Sequence, residues 1–159
     1  MSTATVAERA SATHVPSRTN GAGSTADRFK SDPAYQAFWM LRIGFAALPI
    51  VFGLDKFFDW LVAWQAYLAP WMNDIIPGNA VDAMRAVGVV EIVAGIAVAL
   101  KPRYAAYIVA AWLAGIIVSL LSVPGYYDIA LRDFGLLLGA LTLARLASKY
   151  DPPLFGAKA

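Results

Sequence analysis

The chain has 159 residues, of which 59% are hydrophobic and 15% are charged, and its net charge is +2. Because an ordinary soluble domain carries about 25% charged residues, this composition argues against one and indicates a membrane protein that crosses the bilayer several times. The small net charge gives no reason to expect a nucleic-acid partner.

Residues 1–34 are rich in Ser, Thr, Ala and Gly and hold little that could form a core. We predict a disordered cytoplasmic tail there. Since no apolar segment precedes residue 37, we predict no secretory signal peptide.

Four apolar segments follow, each with the ~20 residues that a helix needs to cross the hydrocarbon core. The predicted spans cover residues 37–58, 81–100, 104–123 and 126–147. Helices are expected because lipid cannot satisfy open backbone groups, and the short links at Lys101-Pro102-Arg103 and Pro124-Gly125 favour antiparallel neighbours. The sequence therefore predicts an all-α fold: a polytopic membrane four-helix bundle over residues 35–148, then a cytoplasmic C-terminal tail over residues 149–159.

The connection between the first two spans, residues 59–80, is rich in aromatic residues. Trp60, Trp64, Tyr67 and Trp71 recur at steps of three or four, which places them on one face of a helix. We predict a short interfacial aromatic helix that ends near Pro70. It has two readings: an aromatic belt that anchors the protein at the membrane surface, or a lid over a ligand pocket.

The distribution of basic residues predicts the orientation. The side that holds both termini carries Arg9, Arg18, Arg28, Lys30, Arg42, Lys101, Arg103, Arg145, Lys149 and Lys158. The opposite side carries only Lys56, Arg85 and Arg132, together with six aspartates. We therefore expect both termini in the cytoplasm, with the aromatic loop facing outward.

Charged residues lie inside these apolar spans. Glu91 lies roughly 15 Å from the outer start of the second span and Asp133 roughly 10 Å into the fourth. Lys56 and Arg132 have long side chains that can turn into the helices or reach the headgroups. We take Lys56, Glu91, Arg132 and Asp133 as candidate ligand- or quinone-binding residues, supported by Asp55, Arg85 and Asp128.

Three interpretations of these charges stay open. They are interhelical ion pairs that set helix register, a site for a polar ligand or quinone head group, or a path for protons or ions. In each interpretation Glu91 should face Lys56, Arg132 or Arg85 and not lipid. Small residues four apart also predict close helix contacts, within one chain or between subunits: Gly95 with Ala99, Ala111 with Gly115, and Gly135 with Gly139.

The chain has no cysteine, and its one histidine, His14, lies in the polar tail. The sequence therefore predicts no disulfide, no thiolate-ligated metal site and no histidine pair for a membrane haem. We expect no metal site and no covalently bound cofactor.

The order of short motifs across the four spans resembles the DoxX-like family of small four-helix membrane proteins. The motifs are Arg42-Ile-Gly44, Gly53-Leu-Asp-Lys56-Phe57, Gly88-Val-Val-Glu91-Ile-Val-Ala-Gly95, and Arg132-Asp133 followed by a Leu-rich run. The resemblance covers most of residues 38–147 and leaves out the tail and the aromatic loop. It brings no established catalytic residue with it.

The resemblance implies a protein of the bacterial cytoplasmic (inner) membrane that is an accessory subunit of a membrane oxidoreductase complex. Quinone is the cofactor that it implies, and the subunit is non-catalytic or quinone-interacting. The expected partners are the lipid bilayer and either a membrane redox complex or a second copy of the chain. The alternatives are a small proton or solute transporter and a structural membrane scaffold with no activity of its own.

Overall fold

A computed structural model describes residues 25–71 and 78–154. These two ranges contain helices and turns and no strand. The predicted all-α class is confirmed for these residues. The α-helices are α1 Thr25–Ser31, α2 Pro33–Asp55, α3 Ala80–Leu100, α4 Pro102–Leu121 and α5 Tyr127–Tyr150.

Side-chain caps determine where α2 and α3 begin. The Asp32 carboxylate accepts hydrogen bonds from the backbone N–H groups of Ala34 at 3.0 Å and Tyr35 at 3.3 Å. Asn79 caps two N–H groups in the first turn of α3 in the same way. Helical structure therefore begins within the predicted tail, because α1 and the start of α2 precede residue 35. Residues 1–24 lie outside the described residues.

Helices that are long and apolar enough to cross a membrane number three in the described part of the chain: Pro33–Phe58, Ala80–Leu100 and Pro102–Leu121. Their lengths of 26, 21 and 20 residues suit a bilayer. Helix α5 has 24 residues but carries Asp128, Arg132 and Asp133 in its first two turns. With these charges α5 is less apolar than the other three helices and is not among the candidate spans. The structure therefore gives three candidate spans where the sequence predicted four.

The four long helices pack against one another, α2 chiefly on α3 and α4 chiefly on α5. Their buried core lies toward the end where α2 and α4 begin and where α3 and α5 finish. Its members are Phe38, Val98, Ala105, Ala106, Val109, Ala110, Ala140, Leu143, Ala144 and Ala147. The charges of the predicted site lie toward the other end, beyond this core.

The outward surfaces of all four long helices are apolar. Met40 of α2 is 73% exposed, Val93 of α3 60%, Ile108 of α4 67% and Leu131 of α5 73%. An apolar surface of this extent is unusual on a soluble monomer. It indicates a lipid bilayer environment.

Small residues make close contacts at some of the predicted positions only. A Cβ atom added to Gly95 would lie 2.6 Å from the carbonyl oxygen of Ala46, so α2 and α3 touch through backbone there. Gly115 and Gly135 have open space around them. The predicted small-residue contacts at these two glycines are therefore not formed within the described chain.

Between residues 59 and 69, the predicted interfacial aromatic helix is present as one 3-10 turn, Trp64–Tyr67, and residues 72–77 of the predicted loop lie outside the described residues. The chain leaves helical geometry at Asp59, whose φ is 52°. The backbone N–H groups of Trp60 and Leu61 then donate to the side chain of Asp55 and not to helical carbonyls. Because the Asp55 side chain, five and six residues earlier in the chain, takes these donors, Trp60 and Trp64 do not share one continuous helix face, and this part of the prediction is corrected.

Candidate functional site

An ion pair joins the end of α2 to the middle of α3. Lys56 follows the last residue of α2, and its Nζ donates a hydrogen bond to Oε2 of Glu91 at 2.6 Å. Their side chains are only 4% and 16% exposed. The expectation that Glu91 faces a basic residue is confirmed, with Lys56 as the partner rather than Arg85 or Arg132.

Two facing glycines bring the helices close enough for this ion pair. A Cβ atom on Gly88 would lie 2.7 Å from the carbonyl oxygen of Gly53 and 3.1 Å from Cβ of Lys56. A Cβ atom on Gly53 would lie 2.6 Å from the carbonyl oxygen of Gly88. The backbone of α3 thus closes one side of the Lys56 stem, and Glu91 lies less than one further turn along α3.

The indole of Trp64 covers the ammonium group of Lys56. Nζ lies 3.8 Å from the centroid of the indole, a cation–π contact in a partly desolvated position. The ring of Phe52 meets the Trp64 indole edge-on at 6.0 Å. Lys56 therefore lies between a carboxylate and an aromatic face. Sequence reasoning placed Trp64 on the aromatic loop and did not include it among the site residues.

Asp55 is 4% exposed and fastens the aromatic loop to the end of α2. Its Oδ1 accepts the backbone N–H groups of Trp60 at 3.1 Å and Leu61 at 3.2 Å. Its Oδ2 accepts Nε1–H of Trp64 at 2.6 Å. Three N–H donors balance a carboxylate that would be costly to bury alone. Asp59, four residues after Asp55, accepts a hydrogen bond from Gln65 at 2.9 Å.

The same loop is attached to the link between α4 and α5. The Tyr126 hydroxyl donates to the carbonyl oxygen of Ala66 at 2.8 Å, and Nε1–H of Trp71 donates to Oγ of Ser122 at 2.9 Å. The rings of Tyr67 and Tyr126 lie 5.3 Å apart. Residues 59–71 therefore cross the end of the helix assembly above Lys56, and we call them the aromatic strap.

The remaining predicted site residues differ in how far they are buried. Asp133 is partly buried on α5 and interacts electrostatically with Glu91 and with Arg132. Arg85, Asp128 and Arg132 are exposed, and none of them forms an ion pair within 4.0 Å in the described residues. The structure thus brings Asp55, Lys56 and Glu91 together, places Asp133 near them, and leaves the other three on the outer surface.

Two open grooves lie on the apolar surface away from this ion pair. One, of about 200 Å³, is lined by Met40, Leu41, Gly44, Phe45, Leu48 and Leu136. The other, of about 290 Å³, lies between α4 and α5 and is lined by Ile117, Leu121, Tyr127, Ala130, Leu131 and Phe134. The residues that line these two grooves carry no charged side chain, in contrast to the Lys56–Glu91 pair.

A second polar cluster lies at the opposite end of the helices, and sequence reasoning missed it. The Tyr150 hydroxyl donates to Oδ2 of Asp32 at 2.7 Å, and Nζ of Lys149 lies 3.7 Å from the same oxygen. The Tyr150 hydrogen bond holds the pKa of the Asp32 carboxyl below its ordinary value of 3.8, and the Lys149 charge acts in the same direction. These contacts tie the start of α2 to the end of α5.

Comparison with known proteins adds no relative, since no family model, curated protein or solved structure that was compared matches the chain. The resemblance to the DoxX-like family therefore stays a prediction. The chemistry of the site follows from its own atoms. It holds one shielded ammonium donor, one carboxylate that can hold a proton or a cation, and one planar ring that can stack.

Proposed function

We propose that this chain is an integral protein of the bacterial cytoplasmic membrane, with four crossings and both termini in the cytoplasm. Three helices have the length and composition for it. Support for the fourth crossing comes from the outer face of α5, where Leu131, Leu136 and Leu138 are 73%, 45% and 49% exposed. The charges of α5 cluster at its two ends, where side chains can reach headgroups.

The function that the site supports best is that of a DoxX-like accessory subunit that holds a quinone head group for a membrane oxidoreductase complex. The single observation that carries it is the position of Lys56 Nζ between the Glu91 carboxylate and the Trp64 ring. Charges within membrane helices are rare and commonly functional. Here an ammonium donor and a planar ring meet at one point.

These two groups fit the chemistry of a quinone. Its carbonyl oxygens accept hydrogen bonds, which the Lys56 ammonium can donate, and its flat ring has a shape similar to that of the Trp64 indole that covers this ammonium in the structure. Glu91 keeps Lys56 charged and oriented while the ligand is held. The bound quinone would supply two-electron redox chemistry, and the residues of this chain would bind and orient it.

The test is to purify the protein from native membranes and measure bound quinone and partner proteins. Wild type should carry quinone or an oxidoreductase partner. Lys56→Met should retain at most about a tenth of the quinone that wild type binds, since one charge-assisted hydrogen bond contributes 1.5 kcal/mol or more. Arg85→Gln removes an exposed charge from the same region and should retain the full amount. A ligand-free and partner-free wild-type protein would reject the proposal.

A second candidate function is a structural scaffold, and the ion pair itself favours it. Lys56 and Glu91 already satisfy each other at 2.6 Å with no ligand between them. In that case Glu91→Gln should lower stability and leave bound quinone, bound partners and membrane flux unchanged.

A further inference from the structure

The aromatic strap leaves the Lys56 ammonium no free face toward the outside of the molecule. Glu91 lies on one side of Nζ at 2.6 Å and the Trp64 indole on another at 3.8 Å. The α3 backbone at Gly88 closes the side of the Lys56 stem. A ligand that takes a hydrogen bond from Nζ must therefore displace something first.

Trp64 is the cover that can move. Gly53 and Gly88 hold α2 and α3 in backbone contact, so a shift of either helix would disturb the whole seam. The strap is instead held by hydrogen bonds with the side chains of Asp55, Ser122 and Tyr126. It begins at Asp59, a non-glycine residue in left-handed geometry with φ 52°. Such a conformation adds on the order of 1 kcal/mol or more of strain, which favours release of the strap. Trp60, on its outer side, is 79% exposed and adds little packing.

We infer that the aromatic strap is a lid, and that Trp64 occupies the place that the flat, carbonyl-bearing ring of a ligand takes over Lys56 when the lid opens. Asp55 is the positioning residue that holds the lid shut, since it accepts two backbone N–H groups of the strap and Nε1–H of Trp64. The inference rests on the proposed function and adds how access to the site is controlled.

The closed lid competes with the ligand. The apparent affinity for the ligand is therefore the affinity of the open form multiplied by the fraction of molecules that are open. Asp55→Asn weakens three charge-assisted hydrogen bonds, and Trp64→Phe removes one while it keeps an aromatic ring. A loss of about 1.5 kcal/mol from the closed state is a factor of about ten in the closed-to-open ratio. Both variants should therefore open the lid more often.

Amine labelling measures the opening without any ligand. Pulse acetylation in detergent followed by mass spectrometry reports the reactivity of Lys56 relative to Lys149, whose side chain is 66% exposed and serves as the internal reference. Lys56 should be strongly protected in wild type and label about tenfold faster in Asp55→Asn and in Trp64→Phe. Trp60→Phe keeps its backbone N–H donor and should label like wild type. Circular dichroism and gel filtration confirm that each variant is folded.

A second arm adds a benzoquinone with a decyl side chain. It should slow the labelling of Lys56 in the two open variants and bind them about tenfold more tightly than wild type by calorimetry. Equal Lys56 labelling in wild type and both open variants would overturn the lid while the proposed function stood. Faster labelling with no quinone binding in any variant would overturn the proposed function and the assigned ligand, and would leave the movement of the strap established.

Discussion

Gly53 and Gly88 face each other across the contact between α2 and α3, each with its carbonyl oxygen where a side chain of the other would begin. The distances from the two added Cβ positions are 2.6 and 2.7 Å, closer than real Cβ atoms approach a carbonyl oxygen. This contact lies beside the Lys56 stem. The ion pair therefore depends on two residues that carry no side chain.

Gly88→Ala should lower the free energy of unfolding by about 1–3 kcal/mol, because the added methyl group overpacks a backbone contact. Gly115→Ala is the matched control, since Gly115 lies inside α4 with open space around it. It should be neutral or stabilising by about 0.5–1 kcal/mol. Thermal unfolding in detergent compares the two variants, and equal effects would contradict the close approach of α2 and α3.

The Lys56–Glu91 pair should show strong energetic coupling. Lys56→Met leaves a carboxylate unpaired and Glu91→Leu leaves an ammonium unpaired, and each should destabilise the protein by about 3 kcal/mol. The double variant Lys56→Met/Glu91→Leu should recover much of this loss, because no buried charge is left behind. A double-mutant cycle on the unfolding free energies measures the coupling, and additive losses would show that the pair does not act as a unit.

The amino-acid sequence could predict that Glu91 pairs with one of three basic residues, Lys56, Arg85 or Arg132, but not which one. A charge such as Glu91 inside an apolar helix needs a partner, and few basic residues lie at its depth. The course of the aromatic strap could not be predicted in this way. The three-to-four spacing of Trp60, Trp64 and Tyr67 is typical of a helix. Hydrogen bonds to the Asp55 side chain instead decide the positions of the two tryptophans, and Tyr67 lies against the ring of Tyr126.

Asp55 shows the same limit. Its spacing from Asp59 indicates two carboxylates on one helix face, which would repel. The helix ends at Asp55, however, and its carboxylate turns to the N–H groups of the strap. Local periodicity describes a helix well until a side chain takes over the hydrogen bonds of the backbone, and spacing in the sequence does not show where that happens.

Asp32 predicts a pH-dependent contribution to stability at the other end of the helices. Its pKa is lowered in the folded protein by the Tyr150 hydroxyl and by Lys149. A lowered native pKa means that the stabilisation is present above pH 3.8, the ordinary value, and is lost as the pH falls through the native pKa. The unfolding temperatures of wild type and Asp32→Asn should therefore differ near neutral pH and converge in acid.

Asn is a good helix cap, so Asp32→Asn keeps the start of α2 and removes mainly the charge. Tyr150→Phe removes the hydroxyl that donates to Asp32. The unfolding temperatures of wild type and Tyr150→Phe should therefore also differ near neutral pH and converge in acid. A difference between wild type and Asp32→Asn that stayed constant down to acid pH would show that this carboxylate does not stabilise the fold through its charge.

Labelling of single cysteines decides whether α5 crosses the membrane, and the native chain has no cysteine to confuse it. Phe29→Cys, Trp60→Cys and Leu154→Cys replace side chains that are 49%, 79% and 55% exposed. With four crossings and cytoplasmic termini, a membrane-impermeant maleimide should label only Trp60→Cys on intact cells, and the other two only after permeabilisation. If α5 lay along the membrane surface, Leu154→Cys would react from outside together with Trp60→Cys, because three crossings leave the two ends of the chain on opposite sides. Labelling of Phe29→Cys and Leu154→Cys alone would keep the four crossings and reverse the orientation, and would place the Lys56 site at the cytoplasmic face.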